Sequence, residues 1–385
     1  MKILVISSWA LFGGTRFGGA KRLYYFAREL ERRVELHLLC LDGCQEWPPG
    51  EAFPSEFRRR LVLPMHPERP LWRRAAFLPA GVDEVLAAHR GAIDAFLGDA
   101  RFDATLLAFP FSLAFLPWCR RERMGKQVYL EDDLLLENYR RDARSPSLPR
   151  KVKGLVRYRQ ALAYFREGLR DASDFVCISR EEEEVVRRIF PALRTDVLKY
   201  GLPLCDYPCL PAPADRNVLG FIGNYRHPPN LDALNWLVDE LFPHMARNAP
   251  GARLVLGGRH FPQEIKDRCA RLPGVTLFED VQDLSRFYAG MGVFINPLRQ
   301  GRGLRTKMVE AAAYGRPVIS TALGAEGLEE LQIGVAETKE GFLAAFQALA
   351  DADRWREAAL RNRRAVESAF SAEALGARLE EILAP

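Results

Sequence analysis

Short apolar runs alternate with longer amphipathic stretches along most of the chain. Continuous runs of Val, Ile and Leu are typical of strands buried on both faces, and apolar residues at helical spacing are typical of amphipathic helices. The predicted strands are KILVIS, VELHLLC, ATLLAF, QVYLE and DFVCIS in the first half, and NVLGFIG, RLVLGG, VTLFE, GVFINPL and PVIST in the second. This alternation predicts an α/β fold with two parallel sheets.

A proline-rich segment without periodicity, GLPLCDYPCLPAPADR, separates the two sets of strands and is typical of an interdomain linker. The chain therefore divides into two predicted Rossmann-like domains. We predict an N-terminal domain over 1–203, a linker over 204–216, a C-terminal domain over 217–370 and a closing helix over 371–385. The pattern of the closing segment does not say which domain it packs on, and a return to the N-terminal domain is one interpretation.

Composition and charge narrow the class of protein. The chain has 385 residues, of which 48% are apolar and 27% charged, and a formal net charge of +5. These values are typical of a folded globular protein and do not indicate a nucleic-acid partner. The opening run MKILVISSW is too short for a signal-peptide core, and the longest apolar run, at 106–118, is interrupted by Pro110 and Pro117. We expect a cytoplasmic protein that does not cross a membrane.

One stretch, GRGLRTKMVEAAAYGRP at 301–317, combines a glycine turn with a short helix after a predicted strand. The carboxyl end of a parallel strand and a helix N-terminus together form a site for anions, and Arg302, Arg305 and Lys307 strengthen that interpretation. Because Cα–Cβ bonds tilt toward the helix N-terminus, Glu310 would lean back and accept hydrogen bonds from hydroxyl groups beside the anion. A phosphate with adjacent sugar hydroxyls is a nucleotide. The alternative is that Glu310 only complements the helix dipole.

Two familiar phosphate-binding motifs do not fit the glycine turns. The run GRGLRT departs from G-x-G-x-x-G at Thr306, and the glycines at 14–19 resemble a P-loop except that Lys21 comes one place late. Gly18 and Gly19 still open a predicted helix after the first strand, where the backbone could approach a ligand closely. A plain turn between strand and helix is the alternative.

Several long segments resemble one family of enzymes. They are FGGAKRLYYFAREL, DFVCIS and VLKYGLP in the first half, and GFIGNYRHPPNLDALNWL, ARLVLGGRHFP and VQDLSRFYAGMGVFINPLRQGRGLRTKMVEAAAYGRPVISTALGAEGL in the second. In these segments the chain resembles the group-1 (family 4) retaining glycosyltransferases of the GT-B fold. The resemblance implies two Rossmann-like domains with parallel sheets facing across a cleft. It also implies transfer of a sugar, with retention of anomeric configuration, from a nucleotide-diphosphate donor to a glycan, lipid-linked or other hydroxyl acceptor in surface polysaccharide or glycoconjugate synthesis.

The resemblance also implies roles for individual residues. Glu310 would hold the donor's ribose hydroxyls, and the backbone of Gly303 and Leu304 would lie against the donor pyrophosphate. Arg226 and Lys307 would balance the charge of the leaving nucleoside diphosphate. The predicted catalytic residues are Asp132, Arg226, Lys307 and Glu310, and the predicted donor-binding residues are Gly18, Gly19, Gly223, Arg226, Gly257, Gly303, Leu304, Arg305, Lys307 and Glu310.

Two positions depart from the family's pattern. Many members have a Glu eight residues before the ribose-binding Glu, where this chain has Arg302, and a His on the acceptor side, where the nearest match is Asp132. The run EDD at 131–133 also fits a Mg²⁺ site or a solvated loop. We expect a metal-independent enzyme without a cofactor besides the donor, because the family neutralises its leaving group with cations and helix dipoles. His227, beside Arg226, is a further candidate for the cleft.

Two other functions stay open at the level of the sequence. One is a nucleotide-sugar epimerase on the same scaffold, which would release free nucleotide and sugar without an acceptor. The other is a non-catalytic nucleotide-sugar-binding protein, which would bind tightly without turnover.

Arg-rich segments in the first half raise the question of a membrane partner. They are FRRRL, LWRRAAFLP and RKVKGLVRYRQALAYFREGLR. The last has Leu155, Leu162, Phe165 and Leu169 at roughly helical spacing with cations between them. Such a stripe could lie on the inner face of the cell membrane and bring the enzyme to a lipid-linked acceptor. The alternative is an ordinary surface helix packed on its own sheet.

Overall fold

The computed structural model describes residues 1–8, 18–42, 57–64, 82–131, 134–301 and 305–385. The chain forms two compact units, one made of Met1–Gly201 with Leu375–Pro385 and the other of Leu202–Ala374. Each unit contains one parallel sheet with helices, so the predicted α/β fold with two parallel sheets is confirmed. The predicted linker segment lies within the second unit, and the end of the closing helix belongs to the first.

The described residues of the first unit form one seven-stranded sheet and its helices. The strands are β1 (Lys2–Ser7), β2 (Glu35–Asp42), β3 (Arg59–Pro64), β4 (Ala104–Ala108), β5 (Lys126–Leu130), β6 (Ala172–Cys177) and β7 (Arg194–Val197). The α-helices are α1 (Gly18–Leu30), α2 (Val82–Ala88), α3 (Arg90–Leu97), α4 (Leu135–Asp142), α5 (Leu148–Gly168) and α6 (Arg180–Ile189). Two 3-10 helices cover Pro110–Trp118 and Arg121–Arg123.

The described residues of the second unit form a six-stranded sheet. Its strands are β8 (Val218–Asn224), β9 (Arg253–Arg259), β10 (Val275–Glu279), β11 (Val293–Asn296), β12 (Val318–Ser320) and β13 (Ile333–Val335). Its α-helices are α7 (Pro228–Trp236), α8 (Phe242–Asn248), α9 (Gln263–Cys269), α10 (Leu284–Ala289), α11 (Thr306–Ala313), α12 (Ala322–Ala325), α13 (Lys339–Ala348) and α14 (Ala352–Ala369). A 3-10 helix covers Leu204–Asp206, a π-helical turn covers Leu237–Leu241, and α15 (Ala372–Leu383) runs from the second unit into the first.

Both sheets have the strand order of a doubly wound fold. The order is β3-β2-β1-β4-β5-β6-β7 in the first and β10-β9-β8-β11-β12-β13 in the second, and neighbouring strands are parallel. The order reverses between β1 and β4, and again between β8 and β11. Ligands of such folds bind beyond the carboxyl ends of the strands at this reversal, because the connections on its two sides leave in opposite directions and open a crevice.

Burial of β1 on both faces explains why the inner strands are unbroken apolar runs. Ile3 and Val5 belong to the core layer that contains residues of α1 and α15, whereas Leu4 and Ile6 belong to the layer that contains Pro110–Trp118. All four side chains are at most 1% exposed. Because neither face of β1 is exposed to solvent, its residues do not alternate between polar and apolar as they do in a half-exposed strand.

Helix α5 packs on the first unit through most of the stripe that the sequence pattern defines. Phe165 and Leu169 are buried in the core, and Leu162 packs against it, whereas Leu155 is exposed. Leu162, Phe165 and Leu169 therefore do not face a membrane, while the membrane contact predicted for the Arg-rich segments stays a prediction. Packing against its own unit already gives three of the four side chains an apolar environment.

The carboxyl ends of β8 and β9 approach each other unusually closely at a pair of glycines. Gly258 has φ +143°, and a Cβ atom there would lie 1.9 Å from the carbonyl oxygen of Gly223 and 2.8 Å from the Tyr225 ring. Gly223 and Gly258 are register partners in the sheet. A side chain at this position would push apart the strand ends that begin the crevice of the second unit.

We expect Gly258→Ala to destabilise the second unit by about 3 kcal/mol, since it combines a left-handed backbone with a clash against backbone atoms. Gly251→Ala is the matched control, because Gly251 also has a positive φ, +88°, but no atom within 4 Å of the added Cβ. That variant should lose only about 1 kcal/mol. Urea unfolding followed by tryptophan fluorescence measures both losses, and equal losses would contradict the close approach.

Candidate functional site

The reversal of strand order in the second sheet lies between β8 and β11, which end at Asn224 and Asn296. Residues 225–227 and helix α7 follow β8, while Gly301, Arg305 and helix α11 follow β11. A Cβ atom on Gly301 would lie 2.9 Å from the Pro229 ring, so the segment after β11 rests directly on the first turn of α7. The two connections thus meet beyond the strand ends, where the fold predicts a ligand crevice.

Helix α11 places its N-terminus at this crevice. Its alanines 311–313 are buried, and such small side chains let the helix lie close to its neighbours. Arg305 occupies the N-cap position and is only 8% exposed. Burial lowers the pKa of Arg305, and the charge of Glu326 opposes that shift. Because the first backbone N–H groups of a helix have no partner within it, α11 adds its dipole to the positive charge of Arg305.

Lys307, in the first turn of α11, is fixed from several sides. Its Nζ donates a hydrogen bond of 2.7 Å to Asn230 Oδ1 and lies 4.6 Å from the centre of the Phe221 ring. Its carbonyl oxygen accepts a hydrogen bond of 3.1 Å from the Tyr288 hydroxyl. Burial, assisted by the charge of Arg305, lowers the pKa of Lys307 to about 7, while Glu310 acts in the opposite direction.

Asn230 is a site residue that the sequence patterns did not predict. It lies in α7, where its Nδ2 donates a hydrogen bond of 3.0 Å to the carbonyl oxygen of Asn224 at the end of β8. The predicted donor-binding residue Gly223 lies directly beside it, since a Cβ atom on Gly223 would be 3.1 Å from Asn230 Cγ. Asn230 therefore links the end of β8 to Lys307 on α11.

Glu310 lies one turn after Lys307 on the same face of α11, because residues three apart on a helix are neighbours. Its side chain is half-buried, and its Oε1 accepts a hydrogen bond of 3.3 Å from the Tyr207 hydroxyl. Tyr207 comes from the predicted linker, and no pattern in that segment singled it out. A carboxylate has about four lone-pair positions and can therefore accept several hydrogen bonds at once.

Aromatic packing holds Tyr207 beside Glu310. The ring centroids of Tyr207 and Tyr314 are 5.3 Å apart, and Tyr314 stacks on Tyr288 at 4.9 Å. Burial, and next the charge of Glu310, raises the pKa of Tyr314 to about 12. Arg363 donates hydrogen bonds of 2.6 Å to the carbonyl oxygens of both Tyr207 and Ala313, which ties the linker to the end of α11.

Arg226 and His227 occupy the turn between β8 and α7. The backbone N–H of Arg226 donates a hydrogen bond of 3.1 Å to Asn224 Oδ1, and its side chain is exposed. Within the part of the chain that the structure describes, the Arg226 guanidinium has no ion-pair partner. Burial, and next the charges of Lys307 and Arg305, lowers the pKa of His227.

The other predicted site residues fall into three groups. Gly257 lies in β9, where a Cβ atom would be 2.7 Å from the Phe287 ring, so packing alone requires a glycine there. Gly18 and Gly19 begin α1 in the first unit. Asp132, Arg302, Gly303 and Leu304 lie outside the described residues. The roles predicted for all of these residues stay predictions.

The charge of the crevice favours an anionic ligand. Arg305 and Lys307 are held in partly desolvated positions, and burial works against the charged form of both. Arg226, whose side chain is exposed, lies in the turn between β8 and α7. An incoming anion would restore to these cations part of the stabilisation that they lose on leaving water, and the dipole of α11 would add to it.

The described residues form neither a metal cluster nor a membrane span. In that part of the chain no three His, Cys, Asp or Glu side chains gather closely enough to hold a metal ion. Asp132 and Asp133, which carry the Mg²⁺ alternative at EDD, lie outside the described residues, so that alternative stays open. None of the helices in the described ranges is both long and apolar enough to span a bilayer.

Comparison with known proteins gives a family match within the second unit. Residues 216–358, which include Arg226, Arg305, Lys307 and Glu310, match the family Glycosyl transferases group 1. A protein of Klebsiella pneumoniae, described as an uncharacterized 44.6 kDa protein in the cps region, is 31% identical over 118 residues. That match covers 29% of this chain and 30% of the Klebsiella protein, so it spans less than a third of the relative's length.

Solved structures resemble the whole chain. Sucrose-phosphate synthase from Thermosynechococcus elongatus has a TM-score of 0.69 at 17% identity, over 99% of this chain and 98% of that one. HepE from Anabaena, solved in complex with UDP and glucose, has a TM-score of 0.65 at 16% identity, over 100% of this chain and 99% of its own. At such identities the likeness shows the fold alone. The predicted GT-B fold and the recognition of a group 1 glycosyl transferase domain are confirmed, while the roles of individual residues stay predictions.

We expect Lys307→Met to change the pH dependence of stability. The folded-state pKa of Lys307 is about 7 against an ordinary value of 10.5, so folding opposes protonation of this side chain. The resulting penalty is present in full below pH 7 and disappears as the pH rises toward 10.5. The stability of Lys307→Met relative to wild type should therefore be highest at pH 7 or below and should fall across this range, as measured by thermal unfolding of both proteins in parallel.

Lys266→Met is the matched control, because Lys266 forms a surface ion pair of 2.7 Å with Glu279 in the same unit. Its difference from wild type should not fall in this way. A difference for Lys307→Met that stays constant from neutral to alkaline pH would contradict the lowered pKa.

Proposed function

We propose that this chain, whose residues 216–358 carry a group 1 glycosyl transferase domain, is a retaining glycosyltransferase that uses a nucleoside-diphosphate sugar as donor. The observation that carries the proposal is the arrangement of Glu310 behind the cationic N-terminus of α11, at the reversal of strand order in the second sheet. A phosphate group suits the cations and helix N-terminus, and the hydroxyls of an attached ribose suit the carboxylate.

In this proposal Glu310 accepts hydrogen bonds from the ribose hydroxyls of the donor. The Tyr207 hydroxyl occupies one lone pair of the Glu310 carboxylate at 3.3 Å and holds the side chain in one orientation. Hydrogen bonds to a charged carboxylate are stronger than those between neutral groups, so they would supply a large part of the selectivity for a ribonucleotide. Carboxylates also occur near helix N-termini merely to complement the dipole, and the experiment below separates these two roles.

Arg226, Arg305 and Lys307 would stabilise the negative charge that develops on the leaving diphosphate. The bond between the anomeric carbon and the diphosphate oxygen breaks, a bond from that carbon to the acceptor oxygen forms on the same face of the sugar, and the acceptor's proton passes to the leaving phosphate. These cations and the α11 dipole supply the charge that a metal ion supplies in other enzymes, so the proposed reaction is metal-independent. A diphosphate bound beside Lys307 would also favour its protonated form, because an opposite charge raises the pKa of a lysine.

A uridine nucleotide is the first donor to test, since HepE, which shares the fold, was solved with UDP and glucose. The relative from the Klebsiella cps region supports a role in surface polysaccharide or glycoconjugate synthesis. We propose a glycan or lipid-linked hydroxyl as acceptor, with the reaction taking place in the cytoplasm. Peripheral contact with the inner face of the membrane is compatible with this function.

The proposed contact with ribose predicts a loss that depends on the ligand's hydroxyl groups. Glu310→Ala should weaken binding of UDP, or of whichever nucleoside diphosphate the wild type prefers, by about 1.5–3 kcal/mol, which is roughly 10- to 150-fold. The same substitution should change binding of the 2′,3′-dideoxy analogue much less, because that ligand lacks the hydroxyls. Titration calorimetry with both ligands and both proteins closes the thermodynamic cycle.

Glu264→Gln is the control for a dipole effect, because Glu264 is an exposed acid in the first turn of α9, in the same unit. It should leave nucleotide affinity unchanged. Glu310→Gln provides a variant of nearly unchanged shape, so that a loss of fold and a loss of ribose contact are distinguished. An equal loss for the ribose and dideoxy ligands would remove the assigned role of Glu310.

The reaction itself separates the three candidate functions. With the preferred nucleotide sugar, a glycosyltransferase should release nucleoside diphosphate faster when an acceptor hydroxyl is supplied, and proton NMR of the product should show the donor's anomeric configuration. Release of free sugar and nucleotide at the same rate without an acceptor would favour the epimerase. Tight binding with no release under either condition would favour a non-catalytic binding protein.

A further inference from the structure

The first unit contains a cavity of about 610 Å³ at the amino ends of its strands. Among the described residues that line it, Phe102 and Met124 each lie two positions before the start of a strand, β4 and β5 respectively. Because the strands are parallel, their carboxyl ends, where ligands of doubly wound sheets bind, lie at the opposite edge of the sheet. The cavity is therefore separate from the crevice of this sheet. Its volume is typical of small-molecule sites, which measure roughly 300–1,000 Å³.

Part of the cavity is apolar. Phe102 and Met124 are buried and close its inner end. Leu97 at the end of α3, Ala100 after it and Trp118 at the end of the 3-10 helix Pro110–Trp118 are half-buried and also line it. Such a lining favours a ligand with an apolar body, since contact between the two removes apolar surface from water.

Three arginines bring positive charge to the same cavity. Arg123 is held by a hydrogen bond of 2.8 Å from its Nη1 to Asp99 Oδ1. The Cζ atom of Arg90 lies 5.8 Å from the centre of the Trp118 ring, and its Nε lies 3.7 Å from an oxygen of Asp94. Each of these two arginines thus has an acid beside it.

The third arginine, Arg120, has no acid of its own. Its side chain is exposed and forms neither a hydrogen bond nor an ion pair within the described part of the chain. The hydrogen bond and charge of Arg123 lower the pKa of Asp99, and the charge of Arg120 adds to this effect. Since Asp99 pairs with Arg123 and Asp94 with Arg90, one positive charge of the cavity remains uncompensated.

Two further side chains of the cavity are compatible with an anion. Burial raises the pKa of the Cys119 thiol to about 12, so the thiol is neutral and adds no negative charge. The indole N–H of Trp118 donates no hydrogen bond within the described ranges, and an indole is a donor only. The cavity therefore combines an apolar lining with an excess of hydrogen-bond donors and positive charge.

We propose that this cavity binds a small aromatic molecule that carries one carboxylate or phosphate group. We call it the amino-end cavity and define it by its lining residues Arg90, Leu97, Phe102, Trp118, Arg120 and Arg123. The ring would lie against the apolar lining and the Trp118 indole, because aromatic rings attract each other in offset or edge-on contacts. The anionic group would pair with Arg120, whose planar guanidinium can donate two parallel hydrogen bonds to a carboxylate or a phosphate.

Other classes of ligand would satisfy only part of the amino-end cavity. A neutral apolar molecule would remove Arg120 from water without giving it a partner. An inorganic anion would pair with Arg120 but leave the apolar lining in contact with water. A metal cation would be repelled by the arginines. An aromatic anion supplies a partner for both the apolar lining and the unpaired charge.

This inference does not depend on the proposed function. The amino-end cavity lies in the first unit, whereas Arg305, Lys307 and Glu310 lie in the second. We therefore expect its ligand to bind without competition from a nucleoside diphosphate, and failure of this proposal would leave the role of Glu310 untouched.

The test is titration calorimetry of the full-length protein with four probes. They are 1-naphthoate, 1-naphthyl phosphate, the neutral alcohol 1-naphthalenemethanol and inorganic phosphate. We expect the preferred naphthyl anion to bind at least about tenfold more tightly than the alcohol or inorganic phosphate, because only it engages both the apolar lining and Arg120. The tighter of the two naphthyl anions identifies the anionic group, and a saturating concentration of UDP should not displace it.

Two variants separate the contributions of charge and ring. Arg120→Gln should weaken binding of the naphthyl anion by about tenfold and leave binding of the alcohol unchanged. Trp118→Leu should weaken the anion and the alcohol alike, by roughly 2- to 10-fold. Arg166→Gln is the matched control, because it removes an exposed arginine from α5 in the same unit, and it should bind as wild type does.

Failure of wild type to bind either naphthyl anion, or equal affinity for the anion and the alcohol, would overturn the proposal. An equal loss in Arg120→Gln and Arg166→Gln would do the same. Displacement by UDP would also contradict it, since the probe would then occupy the donor site. Because Arg120 is exposed, its substitution tests the cavity even where Trp118→Leu does not fold.

Discussion

The hydrogen bond from Lys307 to Asn230 joins the two sides of the crevice in the second unit. Lys307 lies on α11, which follows β11, and Asn230 lies on α7, which follows β8, so the 2.7 Å bond bridges the reversal of strand order. Asn230 is neutral and cannot compensate the charge of the lysine, whose pKa is lowered to about 7 by burial. The fold therefore holds a cation in a position where its charge is only partly stabilised. A bound anion would lower the free-energy cost of this buried charge. The arrangement therefore favours anion binding more than it favours the stability of the folded protein.

The inner strands of both sheets could be predicted from the sequence because the physics that forms them is local. A strand with neighbours on both sides and helices on both faces must be apolar throughout, and such runs are visible without any knowledge of the fold. The three strands that the pattern missed, β3, β7 and β13, lie at sheet edges. β7 has the sequence RTDV and β13 spans only three residues. An edge strand has one neighbour and partial exposure, so its sequence need not differ from that of a loop.

In the candidate site, too, some residues are placed by local sequence and others by contacts between distant parts of the chain. Arg305, Lys307 and Glu310 could be predicted together because one strand, turn and helix carries all three within a short stretch. Tyr207 and Asn230 could not, since they contact Glu310 and Lys307 across 103 and 77 positions of sequence. A proline-rich segment shows that the chain is extended there, but not which of its side chains returns to a helix a hundred residues later. Only the folded arrangement, in which Arg363 and Tyr314 hold Tyr207 in place, identifies it.

Helix α5 shows a different limit of sequence patterns, because it carries apolar residues on two faces. Periodicity cannot decide which apolar residues are buried: of the predicted stripe, Leu162, Phe165 and Leu169 pack inward, whereas Leu155 is exposed. The inward face contains Gly154, where an added Cβ atom would lie 2.4 Å from the backbone nitrogen of Ala143, so the absence of a side chain lets α5 pack closely against the end of α4. Once that face is fixed, the stripe from Leu148 to Val156 has to point outward, however unfavourable its exposure is.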